Sequence, residues 1–266
     1  MTFHPINNAH AISEMVVHFA FVPPFNSETL NTLLSLKDEL KADFPKSNEL
    51  KHVSFTIDAN TQKQVVEQTI GGITLERYNT NGTPSWVINI TNENISIHCL
   101  SYTRWENVWA ETCKYLEKIF KKIDGTANFL QGFGLQYTDK FVFEEDKPYS
   151  PGALFKTNSN YLNANSFDCG DRWHCNSGWF EKLDTSRCLH QLNIDNSQVL
   201  LEGKMQLVST ILHNAVVLRE PSEQFNLSLD KDAHLNTAFQ QLHIKNKAML
   251  SNLLNEEMAN RIQLKS

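Results

Sequence analysis

The segment WVINITNENISIHCLSY, residues 86–102, constrains the fold most. Trp86, Ile88 and Ile90 alternate before the turn residues Asn92-Glu93-Asn94, and Ile95, Ile97 and Cys99 alternate after them. Alternation of period two on both sides of a short polar turn is an antiparallel hairpin with one buried face. Other segments carry the same signal. EMVVHFAFV (14–22) reads as a first strand, stopped by Pro23-Pro24, because proline donates nothing to a ladder. HVSFTI (52–57) and VVEQTIGGITLERY (65–78) follow, the second interrupted by the turn or bulge signal Gly71-Gly72.

Helical spacing appears between these runs. Asn26 or Ser27 can cap a helix carrying Leu30, Leu33, Leu34, Leu40 and Phe44 that ends before Pro45. Thr103 and Glu106 have capping-box spacing ahead of the stripe Trp105, Val108, Trp109, Leu116, Ile119, Phe120 and Ile123. Gly125 suits the position just past the helix end. The order then restarts. FGLQYTDKFVF (133–143) is a long alternating strand, and residues 144–178 are polar and irregular. RCLHQLNI, QVLLEG and MQLVSTILHNAVVL return to β-patterning, with a turn expected at Asp195-Asn196-Ser197. A last helix is expected from Asp230 or Asp232, burying Leu235, Phe239, Leu242, Leu250, Leu253 and Leu254. Strands in runs, rather than alternating with helices, predict an α+β fold: largely antiparallel sheets with helices packed on one side. The restart predicts two degenerate repeats, 1–125 and 126–266, forming one pseudo-symmetric body.

Composition narrows the function. The net charge is −6 with 20% charged residues, so a general nucleic-acid surface is not favoured. The cluster Lys118, Lys121 and Lys122 sits where cations complement a helix C-terminus. No apolar run approaches the ~20 residues of a membrane-spanning helix, and the first residues lack the pattern of a secretory signal. Five scattered cysteines suit a reducing cytosol better than a disulfide framework. A cytoplasmic location is therefore expected, with no cofactor. Oligomeric state is not set by the sequence.

The densest chemistry lies in FDCGDRWHCNSGW, residues 167–179. Cys169, Asp171, His174 and Cys175 are types that suit zinc. Yet five residues separate the cysteines, and His174 adjoins Cys175, which is poor spacing for a closed site. The plainer reading is a loop in which Trp173 and Trp179 cover a core edge or anchor a partner. A second candidate is Asp195 with Glu202-Gly203-Lys204, the Asp…Glu-x-Lys form of a metal-dependent nuclease. Two carboxylates would hold the cation and the lysine would steady the phosphate. The plainer reading sets Glu202 and Lys204 on a solvated strand. His18, His98, His190 and His213 each sit in a strand pattern, and a Cys188–His190 nucleophile pair stands at chance level. No phosphate-cradling glycine motif occurs.

GFGLQYTD (132–139) resembles the mid-chain strand Arg-x-Gly-Leu-Arg-Tyr-x-Asn of a sporadically distributed bacterial family of about 260 residues. Gly134, Leu135 and Tyr137 match; Gly132 and Gln136 stand where the family has arginine, and Asp139 where it has asparagine. The closing segment with Leu242-His243, and Tyr102 with Trp105 after the hairpin, are similar to the family as well. The resemblance implies no established activity. Members often lie near toxin–antitoxin or phage-defence genes. The leading expectation is a non-enzymatic binding protein with a protein partner, an adaptor or neutralising component in such a setting. The alternative is a nuclease or phosphodiesterase using Asp195, Glu202 and Lys204.

Overall fold

Alternating segments become long antiparallel strands. The computed structural model describes residues 2–7, 9–57, 64–144, 146–183, 186–201, 203–219, 227–230 and 233–264. The chain opens with β1 (Phe3–Pro5), β2 (Ile12–Val22), α1 (Ser27–Leu34), α2 (Leu36–Glu39), β3 (Lys46–Ile57), β4 (Gln64–Tyr78), β5 (Pro84–Thr91), β6 (Asn94–Cys99) and α3 (Trp105–Ile123). It continues with β7 (Phe129–Phe143), β8 (Trp173–Leu183), β9 (Ser186–Leu201), β10 (Lys204–Leu218), α4 (His234–Leu253) and α5 (Glu256–Arg261). The fold is α+β with antiparallel pairing. No helix among the described residues is long and apolar enough to cross a membrane.

Contacts divide the chain into two units. The smaller is built from His18–Gly132; the larger takes the residues up to Val17, Phe133–Arg219 and Ser228 onward. The division falls inside β2 and β7.

In the smaller unit the strand order is β3-β4-β5-β6, with β6 beside β2. The hairpin pairs Ile90 with Ile95, and the Thr91 hydroxyl accepts from the Asn94 N–H at 3.0 Å. Opposite β3, Gly72 pairs with Leu50 and Ile70 with Lys51, which leaves Gly71 as the extra residue of a bulge. Gly72 has a steric cause of its own. A Cβ there would stand 2.2 Å from the Ile90 carbonyl oxygen of β5. Gly72→Ala is expected to destabilise the protein by about 2 kcal/mol in denaturant unfolding; an unchanged midpoint would count against this register.

The helices of this unit bury their apolar faces on the sheet. Asn26 caps α1, its side chain accepting from the Thr29 N–H at 2.8 Å. The single helix expected to reach Phe44 is instead broken at Ser35, whose hydroxyl bonds back to the Thr32 carbonyl. In α3, Tyr115 packs edge-on against Phe44 (5.0 Å between ring centroids) and Trp86 (6.1 Å), and Phe120 packs on Phe19 (5.2 Å). Arg77 reaches the Glu111 carboxylate and the Tyr115 hydroxyl, both at 2.9 Å. The capping box does not form: Arg104, not Thr103, is the N-cap, and its side chain does not cap the helix. Gly125 takes φ +73° just past the helix.

In the larger unit the order is β7-β10-β9-β8, with β1 pairing β7 and β8 last. Two expectations are corrected here. The turn at Asp195-Asn196-Ser197 is absent, and β9 runs through it. Asn196 is fully buried; its amide donates to the Asp171 carbonyl and accepts from the Ser209 hydroxyl. These distant partners outweigh the local turn preference. The irregular stretch predicted to reach residue 178 ends earlier, because Trp173–Leu183 is a strand. As the last strand of the order, β8 has mostly exposed side chains and therefore lacks the alternation of a half-buried strand. β9 keeps it: Cys188, His190, Leu192 and Ile194 are buried while Arg187, Gln191, Asn193 and Asp195 are exposed.

α4 lies on the buried face. Phe239 packs on Phe133 (5.3 Å) and the Tyr137 hydroxyl bonds His243 Nδ1 at 2.9 Å. The helix starts at His234 rather than Asp230, because the Asp230 carbonyl already accepts from the Ala233 N–H in a preceding turn. Asp232 lies outside the described residues. Leu254 is buried, but past the helix end, where it bridges to Phe155.

Candidate functional site

The larger unit contains a cleft of about 650 Å³. One wall is the segment Lys156–Tyr161, which supplies Lys156, Asn158, Ser159, Asn160 and Tyr161. The opposite wall is the middle of β8: Ser177, Gly178 and Trp179. Asn252, in the last turn of α4, closes it. The first wall is held by bonds to the end of α4. The Lys156 N–H donates to the Leu253 carbonyl at 2.9 Å, and its ammonium donates to the Ser251 carbonyl at 2.7 Å. Asn255, which caps α5 by accepting from the Met258 N–H, also donates to the Gly152 and Ala153 carbonyls.

Trp179 is fixed from behind. Its ring stacks on His190 with centroids 5.0 Å apart and planes 4° from parallel, and on His213 at 6.0 Å and 9°. Tyr161 leans on it at 5.2 Å. The two imidazoles are wired to each other and to α4. His190 Nδ1 and His213 Nε2 are 3.0 Å apart, and His213 Nδ1 is 2.8 Å from Asn246 Oδ1. Because Asn246 Oδ1 only accepts, the assigned tautomer puts the His213 proton on Nδ1, and His213 Nε2 then accepts from His190 Nδ1. Burial pushes His213 down to about 4, the Asn246 contact opposing it. Burial also lowers His190, against the pull of Glu181. Glu181 Oε2 lies 3.2 Å from His190 Nε2, a contact that becomes an ion pair only when His190 is protonated and that lacks the direction of a hydrogen bond. Lys245 pairs with the other Glu181 oxygen. The cleft thus has a rigid aromatic wall backed by a buried polar chain from β8 to α4.

The residues singled out from the sequence fall in several places. Trp179 lines the cleft. Trp173 does not: its indole N–H donates to the Tyr149 hydroxyl at 2.7 Å and its ring packs edge-on against Phe155. Cys169 is exposed on the loop before β8. His174 and Cys175 are strand neighbours on opposite faces, His174 exposed and Cys175 buried within 3.6 Å of the Asn163 amide. They do not converge, and no cluster of three or more potential ligands occurs among the described residues. Asp195 pairs with Thr210, six positions along β10 from Lys204, so about 20 Å of strand separates the two. Glu202 lies outside the described residues. The nuclease arrangement is therefore not assembled at Asp195 and Lys204. Cys188 is fully buried and its thiol is pushed up to about 12 by burial, which holds it protonated beside His190.

His213, Asn246, Tyr161, Asn158, Asn160 and Asn252 had no motif to mark them. For the histidines a signal existed in parity. His190 falls on the buried side of β9 and His213 on the buried side of β10, and the register sets them two positions apart on the diagonal. A search against protein-family models finds no match for this chain, and neither does one against curated proteins.

Proposed function

We propose that this chain is a non-enzymatic binding protein whose recognition site is the cleft at Trp179. The observation that carries the reading is the lining. It joins an indole and a phenol to carboxamides, hydroxyls and one ammonium, and among the described residues it contains no carboxylate, imidazole or thiol. Ser159 and Ser177 thus have no base beside them in the lining, as a hydroxyl nucleophile requires. The imidazoles nearest the site lie behind Trp179, with exposures of 1% (His190) and 2% (His213), and serve to hold the ring. An aromatic wall with a few convergent polar groups is the usual composition of a small-ligand site.

The wider role as an adaptor or neutralising component in a toxin or phage-defence setting, with a protein partner, belongs to the same proposal. Its support is the resemblance carried by Gly134, Leu135 and Tyr137. Two copies of one α+β unit are part of it too, supported by the order strand, helix, strands, helix followed by strand, irregular segment, strands, helix.

A thermal-shift screen of chemically diverse small molecules tests the binding site. A ligand at a hundredfold excess over its Kd adds about 2.7 kcal/mol of stability. The expected hits raise the melting temperature of the wild type and leave Trp179→Ala unmoved. A screen with no Trp179-dependent hit would sink the reading.

A further inference from the structure

We infer that the cleft binds a neutral polyhydroxylated ligand, a mono- or disaccharide, by stacking on its aromatic wall and by hydrogen bonds from its carboxamides. This rests on the binding reading above and names its ligand class.

The first ground is where the unengaged polar groups lie. Asn163, Asn196, Asn246 and Asn255 all spend their amides on protein partners. Asn158, Asn160 and Asn252 make no such bond among the described residues, nor do the Ser177 hydroxyl and the Trp179 indole N–H, and all five residues line one cleft. A carboxamide offers two donors and an acceptor, and a hydroxyl offers both roles. Such a set matches a ligand whose own groups donate and accept at once, which is the property of a sugar hydroxyl.

The second ground is charge. Among the described residues Lys156 is the sole ionic group in the lining, and its ammonium already donates to the Ser251 carbonyl. A phosphate or dicarboxylate would bring more negative charge than this one cation offsets, and phosphate recognition favours several such donors or a bidentate guanidinium. A cationic ligand would find no carboxylate. A neutral ligand desolvates at least cost here.

The third ground is preorganisation. Trp179 cannot turn without breaking its parallel stack on His190 and His213. An aromatic ring held in place before binding loses little entropy on meeting the apolar face of a sugar ring. The cleft volume of about 650 Å³ lies within the range of small-molecule sites.

The test is calorimetric titration of the full chain with neutral hexoses and their disaccharides, alongside the matching sugar phosphates and nucleosides. The expected result is saturable binding of a neutral saccharide, weakened about tenfold by Trp179→Ala and about threefold or more by Asn160→Ala or Asn252→Ala. Asn160 and Asn252 are exposed, so these variants keep the test valid if Trp179→Ala fails to fold. Asn193→Ala, on the exposed face of β9, should leave the affinity unchanged. A sugar phosphate or nucleoside binding more tightly than every neutral saccharide overturns the inference, and so does the absence of saccharide binding through the millimolar range. If the screen gives Trp179-dependent hits and none is a saccharide, the binding site stands and this ligand class falls. If no hit of any class depends on Trp179, both fall.

Discussion

Asp139→Asn is expected to stabilise the protein at pH 8 by about 4 kcal/mol and to turn a nearly flat response to pH into one that falls towards acid. Asp139 lies on the face of β7 that also carries Tyr137 and Phe141, and it is 2% exposed. Burial alone raises its carboxyl from 3.8 to about 7. The folded protein therefore keeps this proton up to about pH 7, while the unfolded chain releases it near the ordinary value. Between those limits the folded state binds more protons at this site, and the contribution of Asp139 to stability falls as pH rises. Above pH 7 the loss is complete and constant. Asparagine has nearly the same shape and no charge to desolvate, so it removes the loss without opening a cavity. Urea unfolding of both proteins from pH 4 to pH 8 checks it. The two curves should meet near pH 4, diverge up to about pH 7 and stay a constant distance apart from there to pH 8. Parallel curves, or an asparagine variant less stable at pH 8, would refute the assignment.

A buried carboxyl with no compensating cation is seldom kept for stability. It lies in the same unit as the fully buried Asn196–Ser209 pair and the His190–His213–Asn246 chain. This unit thus carries a polar interior under α4, whereas the buried face of α3 in the smaller unit is mainly apolar. Polar cores gain specificity of packing at a cost in stability, and here the specificity fixes the ring that forms the cleft wall.

What could be read in advance follows the same physics. The hairpin at Asn92–Asn94, the stripe of α3 and the buried face of α4 were legible because each obeys one local period, and the bulge at Gly71-Gly72 because two glycines interrupt one. β8 was not. It is the last strand of its sheet, its middle is Asn176-Ser177-Gly178, and a strand with mostly exposed side chains has no alternation to show. The break predicted at Asp195-Asn196-Ser197 failed because Asn196 finds its partners at Asp171 and Ser209, far away in sequence. Trp179 stood out as an aromatic in a polar stretch. The rest of its cleft comes from three segments separated by up to about ninety residues, and exposed asparagines in a loop look the same whether or not they face a cavity. The cysteine-rich stretch drew attention by composition, yet strand geometry turns His174 and Cys175 to opposite faces.

The acid side of the stability curve should be governed by His213. Burial lowers its imidazole from 6.5 to about 4, so the folded state keeps it neutral while the unfolded chain takes up a proton below pH 6.5. The unfolded state then binds more protons, and stability falls as pH drops from 6.5 towards 4, by about 3 kcal/mol in total. This slope opposes that of Asp139 over nearly the same window, so the wild type should look almost flat there. Measured in the Asp139→Asn background, the acid loss should emerge in full. The groups around the imidazole define what must be held constant: His190 on β9, Asn246 on α4, and Glu181 with Lys245 beyond His190. Because the two imidazoles share a bond, their titration belongs to the pair. Proton NMR of the His213 ring gives the decisive reading. A midpoint near 4 supports the buried neutral pair behind Trp179, and a midpoint at or above 6 would mean that the ring meets water and that the cleft wall is not held as described. His213→Gln in the same background should remove most of the acid slope, since glutamine carries no titrating group and only the lowered His190 imidazole remains of the pair. If the slope persists in that variant, the proton is taken up elsewhere and the stack on Trp179 is not what acid breaks.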